Sequence, residues 1–332
     1  MSQCGSTQKP QRRKITHRHS ISSPTSRFGY QNNARLKHVN NTGLTVGDVA
    51  DWMDSRYPPH LQEDWDRVGL ICGDRADTVA KVLLAVDPTE AVVDEALAWG
   101  ADMLITHHPL FLRGTSFVST DTAKGRVVHR LIRAHAALFN AHTNADAARG
   151  GVAEALAVAA GLTPETWRPL VANPKDTSLG IGRVGELSEA VTLADLAERL
   201  SDLLPDSPAG LLVAGDLERQ VKTVAVSGGS GQSLLEDART AAADVFITAD
   251  LRHHPALDYL EEALGPALIV PSHWASEWLW LPQLAADLEV WATSRGLLEV
   301  KVSEVVSEPW DAYVSTVTSD TLDVEALTTE EK

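Results

Sequence analysis

Residues 82–109 read VLLAVDPTEAVVDEALAWGADMLITHHP. A continuous apolar run, Lys81 to Val86, is followed by Pro88-Thr89-Glu90, which opens a helix with apolar positions Val92, Val93, Ala96 and Leu97. Gly100 ends that helix, and Ala101 to Thr106 is a second apolar strand. Strand, helix, strand predicts a βαβ unit, and with it a parallel sheet and a right-handed crossover. The second strand closes on His107-His108-Pro109. It therefore delivers two imidazoles to the C-terminal edge of a sheet, where open α/β sheets place their ligands.

A similar pattern returns at 221–255, VKTVAVSGGSGQSLLEDARTAAADVFITADLRHHP. Each stretch reads strand, polar turn, helix, Ala-Asp, strand, Thr. After that Thr they diverge: His107-His108 follow Thr106, whereas Ala249-Asp250 follow Thr248 and His253-His254 come later, at the start of a helix. The chain is thus expected to be α/β, with two similar α/β domains built on a duplicated βαβ core.

Around these units, Thr45 caps a helix through Val49 and Trp52. Lys124 to Ala136 reads as a helix, Ala137 to Ala141 as a strand, and Gly151 to Ala160 as an alanine-rich helix. Pro, Asn and Thr mark 163–180 as a linker. Beyond it come a helix Leu193 to Leu203 and strands Leu211 to Ala214, Lys222 to Ser227 and Ala267 to Val270. A helix through Leu284 and Leu288 and a strand Leu298 to Val302 end the folded part. The expected division is a basic disordered tail over 1–43, a first domain of 44–165 plus 266–312, a second domain of 166–265, and an acidic disordered tail over 313–332.

Charge narrows the function. Eight of the 29 Lys and Arg residues lie in 1–40, which hold no acid; the remaining 21 face 45 acids, a net −24. So acidic a body repels nucleic acid and attracts cations, which disfavours a DNA-associated regulator. The tail reads as a dispensable extension, with a transit peptide or a weak nucleic-acid arm as the rivals. No stretch approaches a membrane span. Two cysteines, Cys4 and Cys72, provide no disulfide framework, which fits a reducing cytoplasm.

Three elements that end apolar strands carry the candidate chemistry. Pro109 breaks the strand after His107-His108, so both rings can face one site and serve two different ions. Ala141-His142-Thr143-Asn144-Ala145-Asp146 places His142 and Asp146 around a turn, and alone it reads equally as a solvated Asx turn. His273 and Glu277 stand four apart at a helix start, on one face, a spacing shared by ordinary surface pairs. Their convergence on one sheet edge favours a metal site. A histidine and carboxylate set without thiolate suits Zn, Fe, Mn, Ni or Co. Two such ions about 3.5–4 Å apart make a hydrolytic centre.

Ser227-Gly228-Gly229-Ser230-Gly231 reads as a turn before a helix, a weak phosphate cradle. His253 and His254 read as structural or as support behind a ligand, with a direct functional role as the rival. Tryptophans at 274, 278, 280 and 291 point to a large buried contact, either a subunit interface or a wall of the metal cleft.

Together these pieces resemble the family of GTP cyclohydrolase 1 type 2 homologues, the NIF-three-like dinuclear metal proteins, over 44–312. The resemblance rests on Trp65-Asp66-Arg67-Val68-Gly69-Leu70, Val82 to Asp87, Gly100-Ala101-Asp102 through Leu110, His142 to Asp146, Gly180-Ile181-Gly182-Arg183, Ser227 to Gly231, Ile247 to Asp250, and His273 with Glu277. It implies that the C-terminal segment returns to the first domain, and that the protein is a toroidal homohexamer with two divalent metal ions per subunit. It also implies that His108 and Asp146 bind one ion, that His107 and His273 bind the other, and that Glu277 bridges them. His142 would stand beside the pair as a possible base. The activity implied is hydrolysis of a nucleotide or other heterocycle by a metal-bound hydroxide. The alternative is a non-catalytic metal-storage, metal-delivery or regulatory protein that uses the same ligands.

Overall fold

The computed structural model describes residues 43–262 and 265–314. Apart from Gly43, Tyr313 and Val314, both expected tails lie outside the described residues. In chain order the elements are α1 (Val46–Arg56), β1 (Gly69–Cys72), β2 (Lys81–Ala85), α2 (Glu90–Trp99), β3 (Met103–Thr106), α3 (Ala123–Ala134), β4 (Ala137–Asn140), α4 (Thr143–Ala147) and α5 (Val152–Ala159). They continue with β5 (Arg168–Ala172), β6 (Gly180–Thr192), α6 (Leu193–Leu203), β7 (Leu212–Ala214), β8 (Gln220–Ser230), α7 (Leu235–Thr240), β9 (Val245–Ala249), α8 (His253–Glu261), β10 (Ala267–Val270), α9 (His273–Trp278), α10 (Trp280–Ala292) and β11 (Glu299–Val302).

These strands form two sheets, so the protein is α/β as expected. The first has the order β1-β4-β3-β2-β11, parallel from β4 to β11 with β1 antiparallel at the edge. Its strands alternate as a sheet covered on both faces must. Val82, Leu84, Met103 and Ile105 point into a core with α1, α9 and α10. Leu83, Ala85, Leu104 and Leu138 point into another with α2 and α3. The second sheet has the order β5-β6-β8-β9-β10-β7, parallel only across β8, β9 and β10. β11 pairs in parallel with β2, which returns the C-terminal segment to the first sheet.

The two βαβ units share a detail that explains their common Ala-Asp. One Asp102 carboxylate oxygen accepts the backbone N–H groups of Ala80 and Lys81 at the start of β2. Asp244 does the same for Lys222 and Thr223 in β8. Each aspartate ties the entry of its own strand to its neighbour. The likeness is compatible with duplication.

Three expectations differ from the structure. The 163–180 linker contains β5, which pairs with β6 and starts the second sheet. The boundary at 266 cuts off β10, which pairs with β9 and β7; only the chain after it rejoins the first sheet. Ser227–Gly231 is no turn: β8 runs through Ser230, because the Gly229 N–H donates to Ser276 Oγ and the Gly229 carbonyl accepts from Thr248 Oγ1.

Candidate metal centre

The ends of the parallel strands supply the site. Asp87 lies two residues beyond the end of β2, His107 and His108 directly follow β3, and His142 lies two residues beyond β4. From the second sheet, Asp250 directly follows β9 and His273 starts α9, three residues beyond the end of β10. The ladder continues past β3, with His107 N donating to the Ala85 carbonyl and His108 N to that of Val86. The Thr106 hydroxyl donates to the His108 carbonyl and fixes the bend. Thr143–Ala147 forms α4, which carries Asp146, and Ser272 caps α9 by accepting from Ala275 N–H.

The structure brings all six candidate residues together. Glu277 is the hub. Its Oε1 lies 3.0 Å from His273 Nε2 and 3.3 Å from His107 Nε2, and its Oε2 lies 3.0 Å from His108 Nε2. The Nε2 atoms of His108 and His273 are 3.2 Å apart. His107 Nε2 lies 3.7 Å from Asp146 Oδ1. Ring nitrogens of His107, His108 and His142 fall within 4.8 Å of one another, and so do ligand atoms of His108, His273 and Glu277. Apart from those to Glu277, the close approaches are thus His108 Nε2 to the His273 ring and His107 Nε2 to Asp146.

Behind the imidazoles stands a second layer that the sequence reading did not assign. His107 Nδ1 is 2.9 Å from the Ala141 carbonyl, so it is the donating nitrogen and Nε2 carries the lone pair. His108 Nδ1 is 2.7 Å from Asp87, and His273 Nδ1 is 2.7 Å from Asp250. His142 Nδ1 is 3.0 Å from Asp66. Asp66 is fully buried and also accepts from the backbone and hydroxyl of Thr143. These carboxylates orient the rings, the usual arrangement behind ligating histidines. One sign was present in the sequence: Asp250 follows the strand-ending Thr248-Ala249 of the second unit, near the register where the first unit has its histidines.

The electrostatics suit cations. Burial would raise the Glu277 carboxyl, but His108, His107 and His273 outweigh it and hold the group well below the usual range. Burial would lower His108 and His273, yet Glu277 with Asp87 pushes His108 up to about 10, and Glu277 with Asp250 pushes His273 up to about 11. Burial pushes Asp146 up to about 7. Three buried atoms, His107 Nε2, Asp146 Oδ1 and Glu277 Oε2, have only charged neighbours within this cluster and no hydrogen bond of good geometry. Buried polar atoms are rarely left so, and a divalent cation satisfies such a set. Two nitrogens on one tetrahedral ion stand about 3.3 Å apart, close to the His108–His273 spacing. The donor set therefore fits a metal.

Other sequence candidates fall outside this cluster. His253 and His254 are exposed at the start of α8. Trp274, Trp278 and Trp280 pack inside the chain; Trp280 is wholly buried, donates to the Tyr57 hydroxyl and stands 5.7 Å from the His107 ring. The wall reading of these tryptophans fits Trp280. Among the described residues, no helix is long and apolar enough to cross a membrane.

A family model described as Duf34/NIF3 (NGG1p interacting factor 3) matches residues 44–309. A Streptomyces coelicolor protein named GTP cyclohydrolase 1 type 2 homolog is 47% identical over 274 residues, 81% of this chain and 95% of that one. A crystal structure of a Staphylococcus aureus hypothetical protein is 27% identical with a TM-score of 0.73, covering 82% of this chain and 99% of that one. A Bacillus cereus protein related to NIF3, 24% identical with a TM-score of 0.74, covers 82% and 100% and shares the fold. The chain belongs to the Duf34/NIF3 family.

Proposed function

We propose that this protein holds two divalent metal ions and uses them to hydrolyse a small heterocyclic substrate. The observation that carries this reading is the meeting of three imidazoles, those of His107, His108 and His273, on the Glu277 carboxylate, with the His108 and His273 rings fixed from behind by aspartates. His108 and His273 would hold one ion, His107 and Asp146 the other, and Glu277 would serve both. When bound, such ions supply Lewis acidity and activate water near neutral pH.

The chain's own residues do the rest. Asp87 and Asp250 keep the Nε2 atoms of His108 and His273 turned inward. His142 stands at the cavity wall with Asp66 against its Nδ1, placed to accept or return a proton at Nε2. A cavity of ≈ 830 Å³ opens on this face and admits a drug-sized molecule. The test is turnover by the metal-reconstituted protein with GTP and simpler purines, read as release of formate or of a ring-opened product. Glu277→Ala should abolish it in a folded protein. Absence of turnover in a fully loaded wild type contradicts hydrolysis.

One observation favours a second reading, metal storage or delivery. His108 and His273 also line a separate cavity of ≈ 590 Å³, together with Asp87 and Asp250, so this half of the centre is open from two sides. A carrier should exchange its ions within minutes in the presence of a chelator, and a hydrolase should not. The assembly proposed is a homohexamer in the cytoplasm, tested by mass in solution and by localisation of the tagged protein.

A further inference from the structure

The cavity over the metal centre has walls of different character. Trp65, Leu112 and Val171 line it and are 56%, 47% and 37% exposed. Single exposed apolar side chains are ordinary, but three around one concavity form a binding wall. Trp65 is held in place. Its neighbour Asp66 is buried and bonded to Thr143, Glu63 N–H donates to the Thr143 hydroxyl, and Asn140 donates to the Arg67 carbonyl. The indole stands 5.8 Å from the His142 ring at 78°, next to the proposed proton carrier.

Ser227, Ser230 and Ser233 line the same cavity, neutral hydroxyls suited to the edge of a heterocycle. Charge bears on the same point. Away from the proposed metal ligands His108, Asp146, His273 and Glu277, Lys124 is the only Lys or Arg among the described residues that line the cavity, and Glu63 and Asp237 line it too. The glycine-rich segment offers no phosphate cradle either. It is strand, and a Cβ on Gly229 would fall 2.3 Å from Glu277 Oε1, so its backbone is packed against the centre. A triphosphate that extends beyond the metal ions calls for several further cations or a nest of free N–H groups, and the wall offers one lysine.

We propose that the cavity takes a planar nitrogen heterocycle of nucleobase or nucleoside size, without a polyphosphate chain, stacked on Trp65. The substrate class rests on the dinuclear reading above. The test is calorimetric titration of the full-length, metal-loaded protein with guanosine and with GTP, with metal content measured on each sample. Guanosine should bind at least as tightly as GTP and with little dependence on salt. Trp65→Ala should weaken guanosine about fivefold to a hundredfold, the usual range for a lost aromatic stack, and Trp65→Phe should keep most of the affinity. GTP at least tenfold tighter than guanosine, no binding of guanosine, or an unchanged Trp65→Ala variant overturns the proposal. A loaded protein blind to guanosine leaves the metal reading standing. Guanosine bound through Trp65 in a protein that holds no metal overturns the metal reading instead.

Discussion

His108 and His273 are 165 residues apart in the chain, yet their Nε2 atoms meet at 3.2 Å. One ring ends a strand of the first sheet, and the other starts the helix after the last parallel strand of the second. Each is backed by its own aspartate. Two imidazoles come that close through a shared proton or a shared cation, and Glu277 stands against both. The centre exists only because the two sheets present the C-terminal ends of their parallel strands to each other.

The aspartates behind the rings should govern metal affinity. Asp250→Ala should weaken binding by about 10–100-fold, the range for losing a carboxylate behind a ligating histidine. Asp250→Asn should lose less, because Asn keeps an acceptor oxygen and tolerates the left-handed backbone at this position, φ 55°. Chelator competition on the folded variants reads both.

Gly229 should prove indispensable for steric reasons. It has φ +60°, and an alanine Cβ there would lie 2.3 Å from Glu277 Oε1 and 3.1 Å from His273 Nε2. Gly229→Ala should cost about 1–2 kcal/mol of backbone strain and also expel metal. Gly210→Ala is the control: its φ is +63° with nothing within 4 Å. It should lower the melting temperature and leave metal content intact.

Arg183 joins the sheets beside the site. It is 1% exposed, pairs with Glu154 at 2.9 Å, and donates to the carbonyls of Gly180, Gly182, Ala147 and Ala148. The last two end α4, which carries Asp146. Arg183→Ala should destabilise the fold by about 3–5 kcal/mol, since it leaves these partners buried and unpaired. Arg183→Lys should not restore it, because a single ammonium cannot reach partners spread around a planar fork. Denaturant midpoints decide the matter.

Acid should loosen the C-terminal segment through Glu95. Burial would raise its carboxyl, but the hydrogen bond from Ser303 and the Lys301 ammonium at 2.9 Å outweigh it and hold the group below the ordinary 4.5. The folded state thus binds fewer protons than the unfolded one around this value. The stabilisation is complete above pH 4.5 and is lost as pH falls through the folded value. Glu95→Gln should cost about 1 kcal/mol at neutral pH. Its stability should converge with that of wild type below pH 4.5. Parallel curves across that range would contradict the assignment.

Much of this was legible in the sequence. Apolar runs and their breakers located β2, α2, β3 and α6, and the strand-ending histidines marked the site. What was hidden depends on pairing between distant segments. β5 hides among Pro and Asn because it is an edge strand with only one partner. The Gly-rich stretch reads as a turn because glycine is a turn residue, whereas here it lets a strand pack against Glu277. Asp66, Asp87 and Asp250 look like loop acids until folding sets each behind a ring. The approach of His108 to His273 could not be read from spacing at all, because it depends on how the two sheets face each other.

Metal content per subunit tests the central claim most directly, measured by elemental analysis on wild type and on folded Glu277→Ala after reconstitution with Zn, Mn, Fe, Co or Ni. The wild type should hold about two ions and the variant should lose them, since Glu277 touches both halves of the centre. A wild type that holds no metal under any of these conditions contradicts it.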